Sequence, residues 1–148
     1  MCGVSRIYVG ADTEVELKEK KDRVDDAIHA VKAAKKEGIL PGGGAALAYL
    51  ASNSTHLGTA GELTGWEILN KALFAPFNKI LSNAGLDSEG FDGTKWGLGV
   101  DVTDGKLKDM RKAGIIDPAL VTKEAVRNAV SVATTILSTD AIVSNIRE

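Results

Sequence analysis

Three consecutive glycines are the part of this sequence best suited to holding an anion. Gly42, Gly43 and Gly44 come just before an alanine-rich segment with the pattern of a helix. The first turn of a helix leaves backbone N–H groups without partners, and the helix dipole favours negative charge there. Glycines also allow a phosphate to approach the backbone closely. Because no Lys-Ser/Thr pair follows them, the segment is not a Walker A loop.

Acidic residues precede the glycines on a predicted helix that stops at Gly38. Asp22 and Asp26 are four residues apart and share a face, whereas the adjacent Asp25 and Asp26 are about 100° apart. Asp26 could orient a water for attack on a phosphate, or hold a metal through that water. An alternative stays open at each place: the glycines could form a tight turn between packed helices, and the acids a solvated helix surface.

Two further aspartates have structural explanations from the sequence. Asp117 suits the N-cap of the last helix, with Pro118 at its first position. Asp101 has the character of a turn residue. The two separated histidines and the single cysteine are a poor set of ligands, so the sequence predicts no metal site made of them.

The elements that must position these residues are mostly helical. The spacing of apolar residues and the helix-breaking signals predict helices at Glu14–Glu37, Gly43–Ser52, Ala60–Leu73, Pro76–Asn83, Asp104–Ala113 and Pro118–Ser138. We expect Ala75-Pro76 to interrupt the chain between the third and fourth of them. The last helix should bury a stripe made of Val126, Ala129, Val130, Ala133 and Leu137.

The remaining segments predict little regular structure. Short strands are expected at Val4–Val9 and Ala141–Val143, with a possible hairpin at Leu98–Thr103. Leu86–Gly99 is glycine-rich and aperiodic, which predicts an irregular loop. The expected fold is therefore mainly α with a few short β-strands.

Composition excludes several classes of protein. Of the 148 residues, 44% are hydrophobic and 26% charged, which is typical of a globular chain with its own core. The net charge of −2 is spread along the sequence, which argues against a nucleic-acid-binding surface. No apolar run approaches the roughly 20 residues that span a bilayer, and the first residues do not resemble a signal peptide. One free cysteine, Cys2, fits a reducing compartment.

Several motifs follow one another along the chain. They are Val9-Gly10-Ala11, Glu14-Val15-Glu16, the run from Lys18 to Ala27, the run from Glu37 to Gly44, Asn83-Ala84-Gly85, and Gly114-Ile115-Ile116-Asp117-Pro118. In this order they resemble the group I chaperonins, the family of bacterial GroEL and its mitochondrial and plastid relatives. The resemblance covers nearly the whole chain. It implies that residues 1–36 are the C-terminal part of an intermediate domain, with a long helix. Residues 37–148 would be the C-terminal part of a helical, ATP-binding equatorial domain.

The same resemblance implies roles in binding and hydrolysing ATP, with Mg²⁺ and K⁺. Asp26 would be the catalytic aspartate that orients the attacking water. Gly43 would contact the nucleotide. The other implied contacts are Ile80 and Ile115 to the base, Asp101 and Val102 in the turn that receives the adenine, and Asp117 to the ribose. Asp101 stands where asparagine is common in the family, which places a negative charge near the base.

The resemblance also shows which parts this chain lacks. The phosphate-clasping Gly-Asp-Gly-Thr-Thr loop, with its Mg²⁺-binding aspartate, does not occur in it. The apical domain, which in the family binds unfolded proteins and the co-chaperonin, is missing too. Leu86–Gly99 is shorter than the corresponding family segment. We therefore expect a segment of an ATP-dependent protein-folding chaperonin that is inactive alone.

A different class of function remains open. The chain could be a non-enzymatic structural or interaction module that keeps the equatorial scaffold. Helices that lack their usual partners should expose apolar surface and favour self-association, whereas the family assembles as a ring. The expected location is the cytoplasm, with the mitochondrial matrix or a plastid as alternatives.

Overall fold

A computed structural model describes residues 3–55, 58–87, 90–141 and 143, and these residues form four helices and four short strands. In chain order the elements are α1 (Glu14–Glu37), β1 (Ile39–Pro41), α2 (Ala45–Asn53), α3 (Ala60–Asn83), β2 (Leu98–Asp101), β3 (Lys106–Asp109), β4 (Ile116–Pro118) and α4 (Ala119–Leu137). The strands make two antiparallel pairs, β1 with β4 and β2 with β3. The predicted mainly α architecture is confirmed.

The first long helix, α1, has the predicted bounds because its end signals are strong. The Thr13 side chain accepts a hydrogen bond from the Glu16 amide at 3.2 Å, which caps the N-terminus. Gly38 ends the helix with φ of 88°. The strand predicted at Val4–Val9 is wrong, since these residues form no regular element. No other described segment pairs with them, and an unpaired strand leaves its backbone groups unsatisfied.

The core of the described fold lies where α2 meets α3. Ala48 of α2 is fully buried against Phe77 and Leu81 of α3, and Phe91 stacks on Phe77 with ring centroids 4.2 Å apart. The break predicted at Ala75-Pro76 is wrong, because α3 continues through the proline. Proline removes one helical hydrogen bond. Burial of Phe77 and Leu81 beyond it compensates by holding the second half of the helix on α2.

The segment after α3 folds into a hairpin. As predicted, residues 86–87 and 90–97 form no helix or strand, while Ser88 and Glu89 lie outside the described residues. The hairpin prediction at Leu98–Thr103 is confirmed for its first strand, and β3 pairs with it in the register Leu98↔Asp109 to Asp101↔Lys106. The helix predicted at Asp104–Ala113 is therefore wrong. The charged residues of this segment lie in and after a turn. The Asp101 and Asp104 side chains stabilise that turn by accepting hydrogen bonds from backbone N–H groups.

The last helix starts one residue later than the sequence predicted. Asp117 does not cap it, because Ile116–Pro118 pairs with β1 as a strand and Pro118 occupies the N-cap position. The predicted apolar stripe is also exposed: no residue of α4 is buried, Val130 is 46% exposed and Leu137 is 84% exposed. In the predicted terminal strand, Ala141 and Val143 belong to no strand, and Ile142 lies outside the described residues. None of the helices described is long and apolar enough to cross a membrane.

Candidate functional site

The glycine turn, which we define as Gly42–Gly44, joins β1 to α2 and is shaped by close packing. Gly43 and Gly44 have φ of 66° and 76°, in the left-handed region that favours glycine. A Cβ atom on Gly44 would lie 2.8 Å from the backbone of Phe77, and one on Gly43 would lie 2.9 Å from Cε of Met110. The tight-turn explanation therefore accounts for both glycines in this structure, because protein atoms already fill the space beside them.

The N-terminus of α2 nevertheless keeps the properties that favour an anion. Its N-cap residue, Gly44, offers no side-chain hydrogen bond, and the first turn contains no acidic residue. The N-terminal amides of the helix are thus not capped by any described side chain, and its dipole is not offset by a local carboxylate. The packing fills the space where Cβ atoms would stand on Gly43 and Gly44, whereas an anion would meet the backbone amides of the helix end. The two properties are therefore compatible.

Strand β4 brings two of the predicted site residues to the glycine turn. The Gly42 amide donates to the Ile115 carbonyl at 3.0 Å, and Leu40 pairs with Asp117 in the β1–β4 register. Asp117 is half-buried, and burial raises the pKa of its carboxyl group above the ordinary value. In the described structure this carboxylate has neither a hydrogen bond nor an ion pair. Ile115 therefore contacts the glycine turn and Asp117 lies in the strand pair that leads into it, and we refer to Gly43, Ile115 and Asp117 as the glycine-turn cluster.

Met110 connects this cluster to the hairpin, and sequence reasoning missed it. Its side chain is 1% exposed and lies between two glycines. A Cβ on Gly99 of β2 would lie 2.7 Å from Cγ of Met110, and the Gly43 contact is described above. An unbranched, flexible side chain suits so narrow a gap. No local sequence signal marks Met110, because the two glycines that make room for it are distant along the chain.

The hairpin turn, residues 101–105, is a second cluster at the opposite end of β2 and β3 from Met110. The Asp101 Oδ1 atom accepts from the Thr103 amide at 3.0 Å and from its hydroxyl at 2.6 Å, while Oδ2 lies 2.7 Å from Nζ of Lys108. Lys108 and then Thr103 hold the pKa of Asp101 well below its usual range. Val102, next in the turn, is 39% exposed.

The hairpin turn lies beside the end of α3, which carries another predicted contact. A Cβ on Gly105 would lie 3.6 Å from the Leu86 side chain, and the Leu86 amide donates to the Leu81 carbonyl at 3.0 Å. Ile80 is the neighbour of Leu81 and is 38% exposed. Asp101 and Val102 therefore lie near the end of α3 that carries Ile80, at the opposite end of the hairpin from Met110.

The predicted catalytic residue, Asp26, is not assembled with either cluster in this conformation. It is exposed and has no hydrogen bond or ion pair to any described residue. It precedes Glu37 by eleven residues, which is about 16 Å along a helix at 1.5 Å per residue. Here the Asp26 carboxylate lies on a solvated helix surface, one of the two possibilities that the sequence left open.

Three clefts of the described surface lie elsewhere. One of about 460 Å³ is lined by Ile39, Ile116, Arg111 and Lys112 together with Asp109 and Gly114. Two others, of about 300 and 420 Å³, flank α3 and share Leu50, Leu69 and Leu73. None of the three is lined by Gly43, Asp101 or Asp117. In the described part of the chain, no group of three or more His, Cys, Asp or Glu side chains could hold a metal ion.

Comparison with known proteins decides the family. The sequence profile of the TCP-1/cpn60 chaperonin family matches residues 1–147. The chain belongs to this chaperonin family. It is 42% identical over 151 aligned residues to the chloroplastic chaperonin GroEL of Cyanidium caldarium, which confirms the resemblance to group I chaperonins. That alignment covers 97% of this chain and 28% of the relative, so the chain spans less than a third of the relative's length.

A solved chaperonin has the same fold. The crystal structure of a group III chaperonin in the open state superposes with a TM-score of 0.71 and 29% identity, covering 91% of this chain and 30% of that one. The prediction of a chaperonin-like helical fold with a few short strands is therefore confirmed. Nucleotide binding and assembly into oligomeric rings are properties of the chaperonin family.

Proposed function

We propose that the chain is a nucleotide-binding segment of an ATP-dependent, protein-folding chaperonin of group I. The observation that carries this proposal is the glycine turn, where α2 begins without a side-chain cap and the paired strands β1 and β4 hold the half-buried Asp117 carboxylate, which has no partner among the described residues. The helix end would receive a phosphate, and Asp117 would accept hydrogen bonds from ribose hydroxyls. Gly43 and Ile115 would contact the nucleotide, with Ile80, Asp101 and Val102 toward the base.

The described residues fit a nucleotide in part and do not fit a complete metal site. ATP with Mg²⁺ would supply the transferable phosphoryl group and neutralise its charge, and K⁺ would assist. Asp26 would orient the attacking water, which requires a hinge movement that brings α1 toward the glycine turn. Residues 1–36 would form the part of the intermediate domain that moves, and residues 37–148 the equatorial part. We propose that this chain alone binds nucleotide weakly and does not turn it over.

Phosphate release and nucleotide binding test the two halves of this proposal separately. In a malachite-green assay with ATP, Mg²⁺ and K⁺, we expect no release of phosphate. We expect ADP to bind weakly, which NMR would detect as chemical-shift changes at Gly43, Gly44 and Ile115. Asp117→Asn should reduce the ADP-induced shifts, and Asn128→Asp on the exposed face of α4 should leave them unchanged. Turnover that Asp26→Ala abolishes would contradict the inactive state. No ADP-dependent shift at the glycine turn would contradict nucleotide binding.

Exposed apolar residues favour a second candidate, a non-enzymatic interaction module. On α4, Val132 and Ile136 are 59% and 51% exposed and share a face, and on α3 Ile68 is 64% exposed. Monomeric proteins seldom expose large contiguous apolar patches. We therefore propose that the chain self-associates through α4, as a subunit of a ring or as a smaller oligomer. Unfolded proteins and a co-chaperonin would bind only through the apical domain of the parent chaperonin.

Light scattering after size-exclusion chromatography tests this candidate. The chain should elute above its monomer mass of 15.5 kDa. Ile136→Lys should shift it toward monomer, and Thr134→Lys, which adds the same charge on the opposite side of the same helix, should not. A monomer at high protein concentration would count against the interaction module.

As to location, the chloroplastic relative favours the plastid among the compartments considered.

A further inference from the structure

Lys108 is the cation that neutralises the hairpin turn. Its Nζ atom lies 2.7 Å from Oδ2 of Asp101 and 2.8 Å from Oδ2 of Asp104. Asp101 is 8% exposed and is the one buried charged residue among those the structure describes. Burying a carboxylate is costly unless it is paired and hydrogen-bonded. Lys108 supplies the pairing from the opposite strand of the hairpin.

The contacts of Asp101 fix the shape of the turn as well as its charge. Its carbonyl accepts from the Gly105 amide at 2.8 Å and from the Asp104 amide at 3.3 Å. Its side chain holds Thr103 through Oδ1 and Lys108 through Oδ2. Because both carboxylate oxygens already have protein partners, the turn offers a ligand the exposed Val102 side chain and nearby backbone rather than a free negative charge.

Without Lys108 the turn would lose the one cation that is paired with it among the described residues. The other lysine of the strand, Lys106, is exposed, and its ammonium has no ion pair within the described residues. Asp101 and Asp104 would then face each other uncompensated, and repulsion between them would open the turn around Val102. The electron-rich edge of a purine would meet a negative field instead of an apolar surface.

We propose that Lys108 is a positioning residue for the nucleotide base, acting through Asp101 on the shape and charge of the turn at Val102. This inference rests on the proposed nucleotide-binding function. It adds a residue that touches no nucleotide itself and that lies outside the motifs resembling the chaperonins. It also explains how an aspartate is tolerated at position 101, since Lys108 cancels its charge.

The test is NMR titration of the 148-residue chain with ADP and, separately, with pyrophosphate, which has no base. Lys108→Met should weaken ADP binding by about tenfold, the effect of about 1.4 kcal/mol from losing a charge-assisted contact. Pyrophosphate binding should change by less than about twofold, because the glycine turn is remote from the hairpin turn. Lys106→Met is the matched control and should leave both affinities unchanged.

Two rescue variants separate positioning from general destabilisation. Lys108→Arg keeps the charge and should retain most of the ADP affinity. Asp101→Asn combined with Lys108→Met removes both charges and should bring ADP binding back to within about twofold of the original chain, since asparagine can still accept from Thr103. A loss of folding stability alone would not be cured by removing a second buried interaction.

Each result bears on one claim. An ADP affinity that Lys108→Met leaves unchanged, or an equal loss for ADP and pyrophosphate, overturns the role of Lys108 and leaves nucleotide binding standing. Failure of the original chain to bind either ADP or pyrophosphate overturns the proposed function and, with it, this inference. Selective loss of ADP binding with rescue by the double variant supports both.

Discussion

The α2–α3 region and the α4 region contain similarly apolar sequences but bury them to different degrees. In the first, small alanines of α2 meet Phe77 and Leu81 and are almost completely buried. In the second, α4 presents valines, isoleucine and leucine, and none of its residues is buried. The periodicity of a helix therefore predicts which face is apolar, but burial also requires a partner. For α2 the partner lies within the described chain, and for most of α4 it does not.

The largest effect is expected when one apolar side chain is truncated in each region. Phe77→Ala should lower the free energy of unfolding by about 3–5 kcal/mol, because it leaves a cavity against Ala48 and Phe91. Val132→Ala on α4 should cost less than about 0.5 kcal/mol, as for an exposed residue. Urea unfolding followed by circular dichroism measures both.

Two controls sharpen that result. Phe77→Leu keeps most of the volume and should be folded even if the alanine variant is not. Ile68→Ala, on the same helix as Phe77 but 64% exposed, should behave like the α4 variant. Equal costs for Phe77→Ala and Val132→Ala at low protein concentration would mean that α4 is buried against something, and the contrast would disappear.

A smaller difference is expected between two glycines with the same backbone conformation and different surroundings. Gly44→Ala combines a left-handed strain of roughly 1–3 kcal/mol with overpacking against Phe77 of about the same size. Gly85→Ala, after α3, has φ of 70° but nothing within 4 Å of the new Cβ, so only the strain applies. Thermal unfolding measures the loss of stability in each variant, and the difference between the two losses is the contribution of packing at the glycine turn. Similar losses for the two variants would show that the contact with Phe77 is unimportant.

Two aspartates, the buried Asp101 and the half-buried Asp117, should make the free energy of unfolding depend on pH with opposite signs. Because the pKa of Asp101 is lowered in the folded state, its contribution to folding stability is complete above the unfolded pKa of about 3.9. That contribution is lost as the pH falls below this value. Asp117 has a raised pKa, so the folded state binds the proton more tightly, and stability falls as the pH rises from about 3.9 through the folded value.

Asparagine variants test those signs by urea unfolding at several pH values. Asp101→Asn should be less stable than the original chain near neutral pH and should lose less on acidification. Asp117→Asn should be more stable than the original chain near neutral pH and should converge with it in acid. A change of the same sign for both variants would contradict the different environments assigned to the hairpin turn and β4.

The smallest effect is expected where a polar contact joins α1 to α4. Lys123 Nζ lies 2.5 and 2.6 Å from the two carboxylate oxygens of Glu37, but both side chains are more than a third exposed. Such pairs contribute about 0.2–1 kcal/mol. A double-mutant cycle with Glu37→Gln and Lys123→Met measures the coupling. The Glu124–Arg127 pair within α4 is the control, and a coupling much above 1 kcal/mol would show that α4 is held by more than exposed contacts.

Local signals explain what the sequence predicted correctly. Thr13 and Gly38 fix the ends of α1, and a tight turn at the three glycines was one of the two alternatives that the sequence left open. Two of the errors depend on contacts distant along the chain, and the third depends on a local turn. Asp117 lies in a strand because β1 is available to pair with it, and Asp104 belongs to a turn because Lys108 pairs with it. Met110 was missed because Gly43 and Gly99, which make room for it, are more than fifty residues apart.

Trp96 makes the exposed apolar surface observable by fluorescence. Its indole contacts Tyr49 edge-on, with centroids 5.1 Å apart, and lies half-exposed at the rim of the cleft between α2, α3 and α4. Any molecule that covers this cleft must displace water from the indole, which moves tryptophan emission to shorter wavelength. The chain therefore carries its own fluorescent reporter of occupancy, and no dye is needed to follow assembly in real time.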